Sequence, residues 1–174
     1  FIKKKIIGDR VRRPWLSAVC TSLLLGSLLW AATSWAAVVH DAATFCDPGG
    51  LGTSCTKALT NAGDLLTVGV CIRNGAESVD TVTYNGVNLT PYSTVTRPSS
   101  SHVLEVLSLS APATGAHDVV VTMTGDAPFS VGIASYGGTN LSSPLGTSNN
   151  ATGTGGTPSV DITSATGEMV FDFI

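Results

Sequence analysis

The feature that most constrains the fold is a series of short segments rich in β-branched residues, each followed by a turn sequence. In the segment 65–73 the side chains alternate between two faces, because side chains along a strand repeat with a period of two. The larger apolar residues on one of these faces are Leu66, Val68, Val70 and Ile72. Strands of this kind, about every ten to fifteen residues, predict an all-β fold, a two-sheet antiparallel β-sandwich.

The same pattern places the other strands. We expect strands at 37–45, 65–73, 79–84, 87–89, 102–109, 117–124, 129–136, 158–163 and 169–174. Turn clusters separate several of them, at 110–115, 125–128, 137–143 and 164–167. Asn85-Gly86 between two β-rich runs is the strongest hairpin signal. The valines 119–121 break simple alternation, which predicts a central strand buried on both faces.

The N-terminal segment predicts export. Six of the nine Lys and Arg residues precede Pro14, and an uncharged, mostly apolar run follows them. A basic start, an apolar middle and the small residues of Ser34-Trp35-Ala36 are typical of a signal peptide, so we predict 1–36 to be cleaved. About 20 apolar residues suffice to cross a bilayer, and an uncleaved anchor helix at about 14–39 is the alternative.

The remaining segment, 37–174, is expected to be a single β-sandwich domain. The chain begins with Phe1, and its last residues, 169–174, alternate like the middle of a strand. We therefore interpret the sequence as a fragment cut at both ends, with the domain truncated at its C-terminus.

The exported part is more acidic than the whole chain. The chain has a formal net charge of −3, but three of its nine basic and eleven of its twelve acidic residues lie beyond residue 36, which leaves the exported part at about −8. Phosphate backbones are bound by Lys and Arg, so the composition argues against a nucleic-acid partner. An acidic, Lys-poor surface suits a soluble extracellular protein.

Five segments in order carry a family resemblance: LLTVGVCIRN (65–74), VDTVTYNGVNLT (79–90), HVLEVLSLSAPATGAHDVVVTMTG (102–125), SVGIASYGGTNLSSPLGT (130–147) and SVDITSATGEMVFDFI (159–174). Their order resembles an immunoglobulin-like or jelly-roll-like β-sandwich module of bacterial secreted and cell-surface proteins. The resemblance implies a non-catalytic part of an adhesin, a surface protein or a secreted enzyme, and it transfers no catalytic residues. The chain departs from the pattern in its Cys-bearing segment 46–55 and in stopping before the expected final strands.

Three cysteines would remain after cleavage, and outside the cytoplasm pairing is the default. Cys46 and Cys55 flank a turn-rich loop, 47–54, and are the favoured disulfide, with a stabilisation of up to about 3 kcal/mol. Cys71 is then a buried free thiol, an intermolecular partner, or the true mate of one of the other two.

No catalytic, cofactor-binding or metal site is predicted. The three histidines, His40, His102 and His117, lack the paired spacing of a zinc site. The carboxylates are expected on solvated faces and in turns. Tyr92, beside Pro91, is the aromatic residue expected to be most exposed and is the candidate ligand contact. A single loop tyrosine is more often a turn anchor than a sugar platform.

These observations favour a non-catalytic exported module with a structural or adhesive role, at the bacterial cell surface or in a secreted protein. Its expected partner is an extracellular protein or a glycan, with membrane contact only if the N-terminal segment is uncleaved. A carbohydrate-binding module is the alternative function, and an accessory fragment of a secreted hydrolase is the third.

Overall fold

The structure is a computed structural model that describes residues 37–73, 76–97, 102–152 and 159–173. All of these residues belong to one compact unit, Trp35–Ile174. The predicted signal peptide, 1–36, lies outside the described residues, as does nearly all of the alternative anchor. Within the described part of the chain, no helix is long and apolar enough to cross a membrane.

Eight strands make up the fold, and all of their pairings are antiparallel. They are β1 (Val39–Cys46), β2 (Leu51–Asn61), β3 (Leu65–Ile72), β4 (Val79–Tyr84), β5 (Val87–Asn88), β6 (Thr90–Arg97), β7 (His102–Ser110) and β8 (Gly115–Gly137). The described ranges contain no helix. The predicted all-β antiparallel class is therefore confirmed.

The long strand β8 organises the sheet. The strand order is β5-β4-β8-β3-β7-β6, and β1 and β2 also pair with β8. The first part of β8 pairs with β2 and β4, and the part from Phe129 onward pairs with β1 and β3. The eight strands thus form one connected sheet that closes towards a barrel around the core, and β8 belongs to both of its regions.

The predicted turn at 125–128 is wrong, because these residues lie within β8. The ladder with β2 shifts register here: Gly52 faces Ala127, whereas Ser54 faces Thr122. Such bulges bend a strand without ending it, and they tolerate a proline, which has no N–H to donate. The turn-forming composition produces a bend between the two regions of β8.

The apolar core draws on both regions of the sheet. Its largest fully buried side chains are Tyr84, Phe129, Leu66 and Ile72. The predicted face of β3, with Leu66 and its i+2 neighbours, points into this core. Burial on both faces was predicted for 117–124, but there Val119 and Val121 are buried and Val120 is only partly buried. It is β3 that is buried on both faces, since every one of its residues except Cys71 is buried.

The remaining strand predictions have mixed outcomes. The hairpin at Asn85-Gly86 is present, and both residues have the positive φ angles, 49° and 76°, that a tight hairpin turn requires. The edge strand β6 and the whole of β2 were not predicted. The predicted strands at 158–163 and 169–174 are not strands in their described residues, and 169–173 lies on the outer face of the sheet.

Candidate functional site

A disulfide closes the connection between β1 and β2. The structure joins Cys46 to Cys55 across a Cα–Cα distance of 6.4 Å. The predicted loop 47–54 is shorter than expected, because β2 already begins at Leu51. Within the turn, the Asp47 carboxylate accepts a 2.8 Å hydrogen bond from the Gly49 backbone N–H.

Two large apolar side chains flank this closed turn. Phe45 is 73% exposed and Leu51 is 71% exposed, the highest values among the large apolar residues that the structure describes. Single exposed apolar residues are common on soluble proteins, but two large ones on either side of a disulfide-closed turn make that turn a candidate contact surface. The segment 45–55 contains one acidic residue and no basic one, so it lacks the charge that attracts anionic lipid. We call Phe45, Leu51 and the turn 47–50 the apolar tip.

A carboxylate at the other end of β1 fixes the position of that strand. Asp41 Oδ2 accepts hydrogen bonds from the backbone N–H groups of Ala62 (2.8 Å) and Gly63 (3.1 Å), and from Ser135 Oγ (2.8 Å). These bonds, led by the one from Ala62, hold the pKa of Asp41 below its ordinary value, since they favour the charged form. The sequence does not predict this role, because all three partners of Asp41 are distant along the chain.

Buried Asn61 completes the same junction. Its side-chain amide donates to the carbonyls of Ala113 (3.0 Å) and Gly63 (3.2 Å), and its carbonyl oxygen accepts from the Gly63 N–H (3.1 Å). The turn between β2 and β3 is therefore held from both sides. Asp41 and Asn61 together determine how β1 and β2 leave the junction towards the apolar tip.

Tyr92 lies on β6 and is only partly exposed, whereas Phe45 is 73% exposed, so the expectation that Tyr92 is the most exposed aromatic residue is wrong. Tyr92 instead anchors a neighbouring segment. Its hydroxyl donates a 2.8 Å hydrogen bond to the Gly146 carbonyl. The turn-anchor interpretation accounts for this bond, whereas the predicted ligand contact at Tyr92 is untested and stays a prediction.

The other polar candidates lie in separate places. His40 packs edge-on against Tyr136, and His117 packs edge-on against Tyr84 with ring centroids 5.6 Å apart. Glu105 accepts a hydrogen bond from the Val79 backbone N–H. Among the described residues, no group of three or more His, Cys, Asp or Glu side chains is placed to hold a metal ion.

Cys71 is a free, partly exposed thiol. It lies on the face of β3 opposite the core-facing residues, as the alternation predicts. In the ladder it stands between Leu104 of β7 and Ser130 of β8. The pairing of Cys71 with Cys46 or Cys55, one of the alternatives considered from the sequence, does not occur in this structure.

Comparison with known proteins gives no significant similarity to any protein-family model, curated protein or solved structure. The resemblance to a bacterial immunoglobulin-like module therefore stays a prediction from the sequence motifs.

Proposed function

We propose that the chain is a non-catalytic, exported β-sandwich module of the bacterial immunoglobulin-like type, with an adhesive role at the cell surface or in a secreted protein. The observation that carries this proposal is the apolar tip, where Phe45 and Leu51 stand exposed on a turn closed by the Cys46–Cys55 disulfide. A rigid turn loses little conformational entropy on binding, so it presents apolar side chains at low cost.

The electrostatics of the module fit an extracellular partner. The exported part is acidic overall, and the segment 45–55 carries a single carboxylate. Such a tip suits contact with a neutral or weakly basic surface of a partner protein. In this contact the Phe45 ring of the tip is the central anchor. The disulfide and the N-terminal export segment are both consistent with an oxidising compartment.

An adhesion experiment tests the role of the tip. Beads coated with the purified chain are applied to immobilised bacterial cells, which are untreated, protease-treated or periodate-treated. We expect the double substitution Phe45→Ser and Leu51→Ser to reduce bead retention about tenfold or more, and protease to remove the remainder. The matched control is Val87→Ser, which removes an exposed valine at the β4–β5 hairpin.

Three outcomes would count against this proposal. Equal retention of the double variant and the Val87→Ser control would show that the tip makes no contact. Retention that is lost after periodate treatment but not after protease treatment, and that Tyr92→Ala also abolishes, would favour the carbohydrate-binding alternative. Hydrolysis of a polysaccharide by the purified chain would favour the hydrolase fragment.

A further inference from the structure

The outer face of β3 is covered, although none of the described strands lies over it. Its outward-pointing residues include Leu65 and Thr67, which are buried, and Gly69, which is buried as well. The cover comes from the segment 169–173, which we call the strap. Two aromatic rings of the strap, those of Phe171 and Phe173, lie against this face.

The strap fits a slot formed by two glycines. Gly69 of β3 stands directly opposite Gly132 of β8 in the ladder. The ring of Phe173 occupies the space that side chains at these positions would fill. A Cβ at Gly132 would approach Phe173 Cε1 to 3.2 Å and would meet atoms of no other residue within 4 Å. The slot therefore exists because neither glycine has a side chain, and the Phe173 ring fills it.

A second aromatic contact fixes the register of the strap. Phe171 stacks on Tyr136 of β8, with ring centroids 5.4 Å apart and an interplanar angle of 27°. Phe171 and Phe173 pack edge-to-face at 5.9 Å. Alternate residues of an extended chain point to one side, so a Phe-x-Phe sequence presents both rings to the groove formed by Tyr136 and the slot.

The strap is joined to β8 by a long connection. About 30 residues separate the end of β8 at Gly137 from Met169, and the described ones, 138–152 and 159–168, contain neither helix nor strand. A chain of about 30 residues spans at most roughly 100 Å when fully extended. The connection is therefore long enough for the strap to reach the groove of a neighbouring molecule.

We propose that the strap exchanges between copies of this chain, so that Phe171 and Phe173 of one molecule fill the Tyr136 groove and glycine slot of a second molecule. In such a symmetric dimer the strap makes the same contacts with the second molecule as it makes within one molecule. Exchange therefore loses none of these contacts. Within one molecule the strap is present at an effective concentration in the millimolar range. The unmodified protein is consequently monomeric at micromolar concentration and associates where its local concentration is high. The proposal rests on the groove alone and holds whether or not the apolar tip is adhesive.

Two complementary variants of the full chain test the exchange. The double substitution Phe171→Ala and Phe173→Ala leaves an open groove and no aromatic strap. The substitution Gly132→Val blocks the slot and leaves the strap without a site, at a strand position where valine is a favoured residue. We expect each variant to be monomeric alone at about 50 μM. Their mixture should form a 1:1 heterodimer at least tenfold more abundant than dimers of the unmodified chain, measured by light scattering after size exclusion in mild detergent.

The control separates strap exchange from other association. A triple variant with both Phe→Ala changes and Gly132→Val has neither strap nor slot, and it should not pair with the Gly132→Val variant. Pairing of that mixture would attribute the association to another surface and overturn the proposal. Absence of the heterodimer, with both partners shown to be folded by circular dichroism, would overturn it too.

A measurement without substitutions decides the question if a variant fails to fold. The unmodified chain at about 1 mM approaches the effective concentration of its own strap, so a dimer fraction should be visible by sedimentation. An excess of a peptide with the sequence of residues 165–174 should dissociate that dimer into monomers. The same peptide with Ala at 171 and 173 should not. A monomer at 1 mM, or a dimer insensitive to the peptide, would refute exchange.

Discussion

At the scale of single residues, the Asp41 carboxylate illustrates how a solvated side chain positions a strand. Its three hydrogen bonds join β1 to the β2–β3 turn and to Ser135 of β8. Because its pKa is lower in the folded protein than in the unfolded chain, Asp41 stabilises the fold at pH values above the unfolded pKa. This contribution is lost as the pH falls through the folded pKa.

We therefore expect Asp41→Asn to lower the free energy of unfolding at pH 7 by less than about 1 kcal/mol, because water screens an exposed carboxylate. The difference from the unmodified protein should shrink as the pH falls below the ordinary Asp pKa of about 4 and through the lower pKa of folded Asp41. Urea unfolding at pH 7, 4 and 2.5 measures both effects. Asp47→Asn, in the exposed β1–β2 turn, is the matched control. A destabilisation by Asp41→Asn that is constant with pH would contradict the electrostatic explanation.

At the scale of elements, the sequence predicts strands well where one face is buried and poorly where it is not. The alternation at 65–73 places Leu66 and its neighbours in the core because four large apolar side chains of β3 share that face. The opposite face is buried as well, but its smaller residues, such as Thr67 and Gly69, carry no comparable sequence signal. The edge strand β6 packs one side on β7 and carries mainly Thr, Ser and Pro, so its sequence resembles that of a loop.

Two other elements show why local patterns are not sufficient. The residues 125–128 have the composition of a turn, but pairing of Ala127 and Pro128 with β2 carries β8 through them as a bend. The segment 169–173 alternates like a strand, yet its rings are used to fill a glycine slot. That slot depends on Gly69 and Gly132 facing each other across two strands, and such a long-range pairing has no local sequence signal. The same holds for the Asp41 junction.

The Cys46–Cys55 disulfide is the element-scale feature with the clearest energetic consequence. Closing a loop of about ten residues restricts the unfolded chain, and its loss should lower the free energy of unfolding by about 2–3 kcal/mol. Chemical denaturation with and without a phosphine reductant measures this difference. The Cys71→Ser variant should show the same difference, since Cys71 is a free thiol. No effect of reductant on the unmodified protein, with both thiols verified as reduced, would mean that the bond does not constrain the fold.

At the scale of the whole molecule, β8 makes the described domain one cooperative unit. Its first part supplies Met123 to the core and its second part supplies Ile133, although these residues pair with different neighbouring strands. Because a single backbone runs through both regions, damage to the core in either of them should destabilise both.

We expect Met123→Ala and Ile133→Ala each to lower the free energy of unfolding by about 2–5 kcal/mol, the usual cost of truncating a buried side chain. In both variants, unfolding should remain a single transition. Far-ultraviolet circular dichroism follows the strands, while near-ultraviolet signals follow the tyrosines. Tyr84 of β4 pairs with the first part of β8, and Tyr136 belongs to its second part. The two signals should give coincident curves, as required of a two-state transition. Separate midpoints, with Met123→Ala shifting only one of them, would show that the two regions unfold independently and that β8 does not couple them.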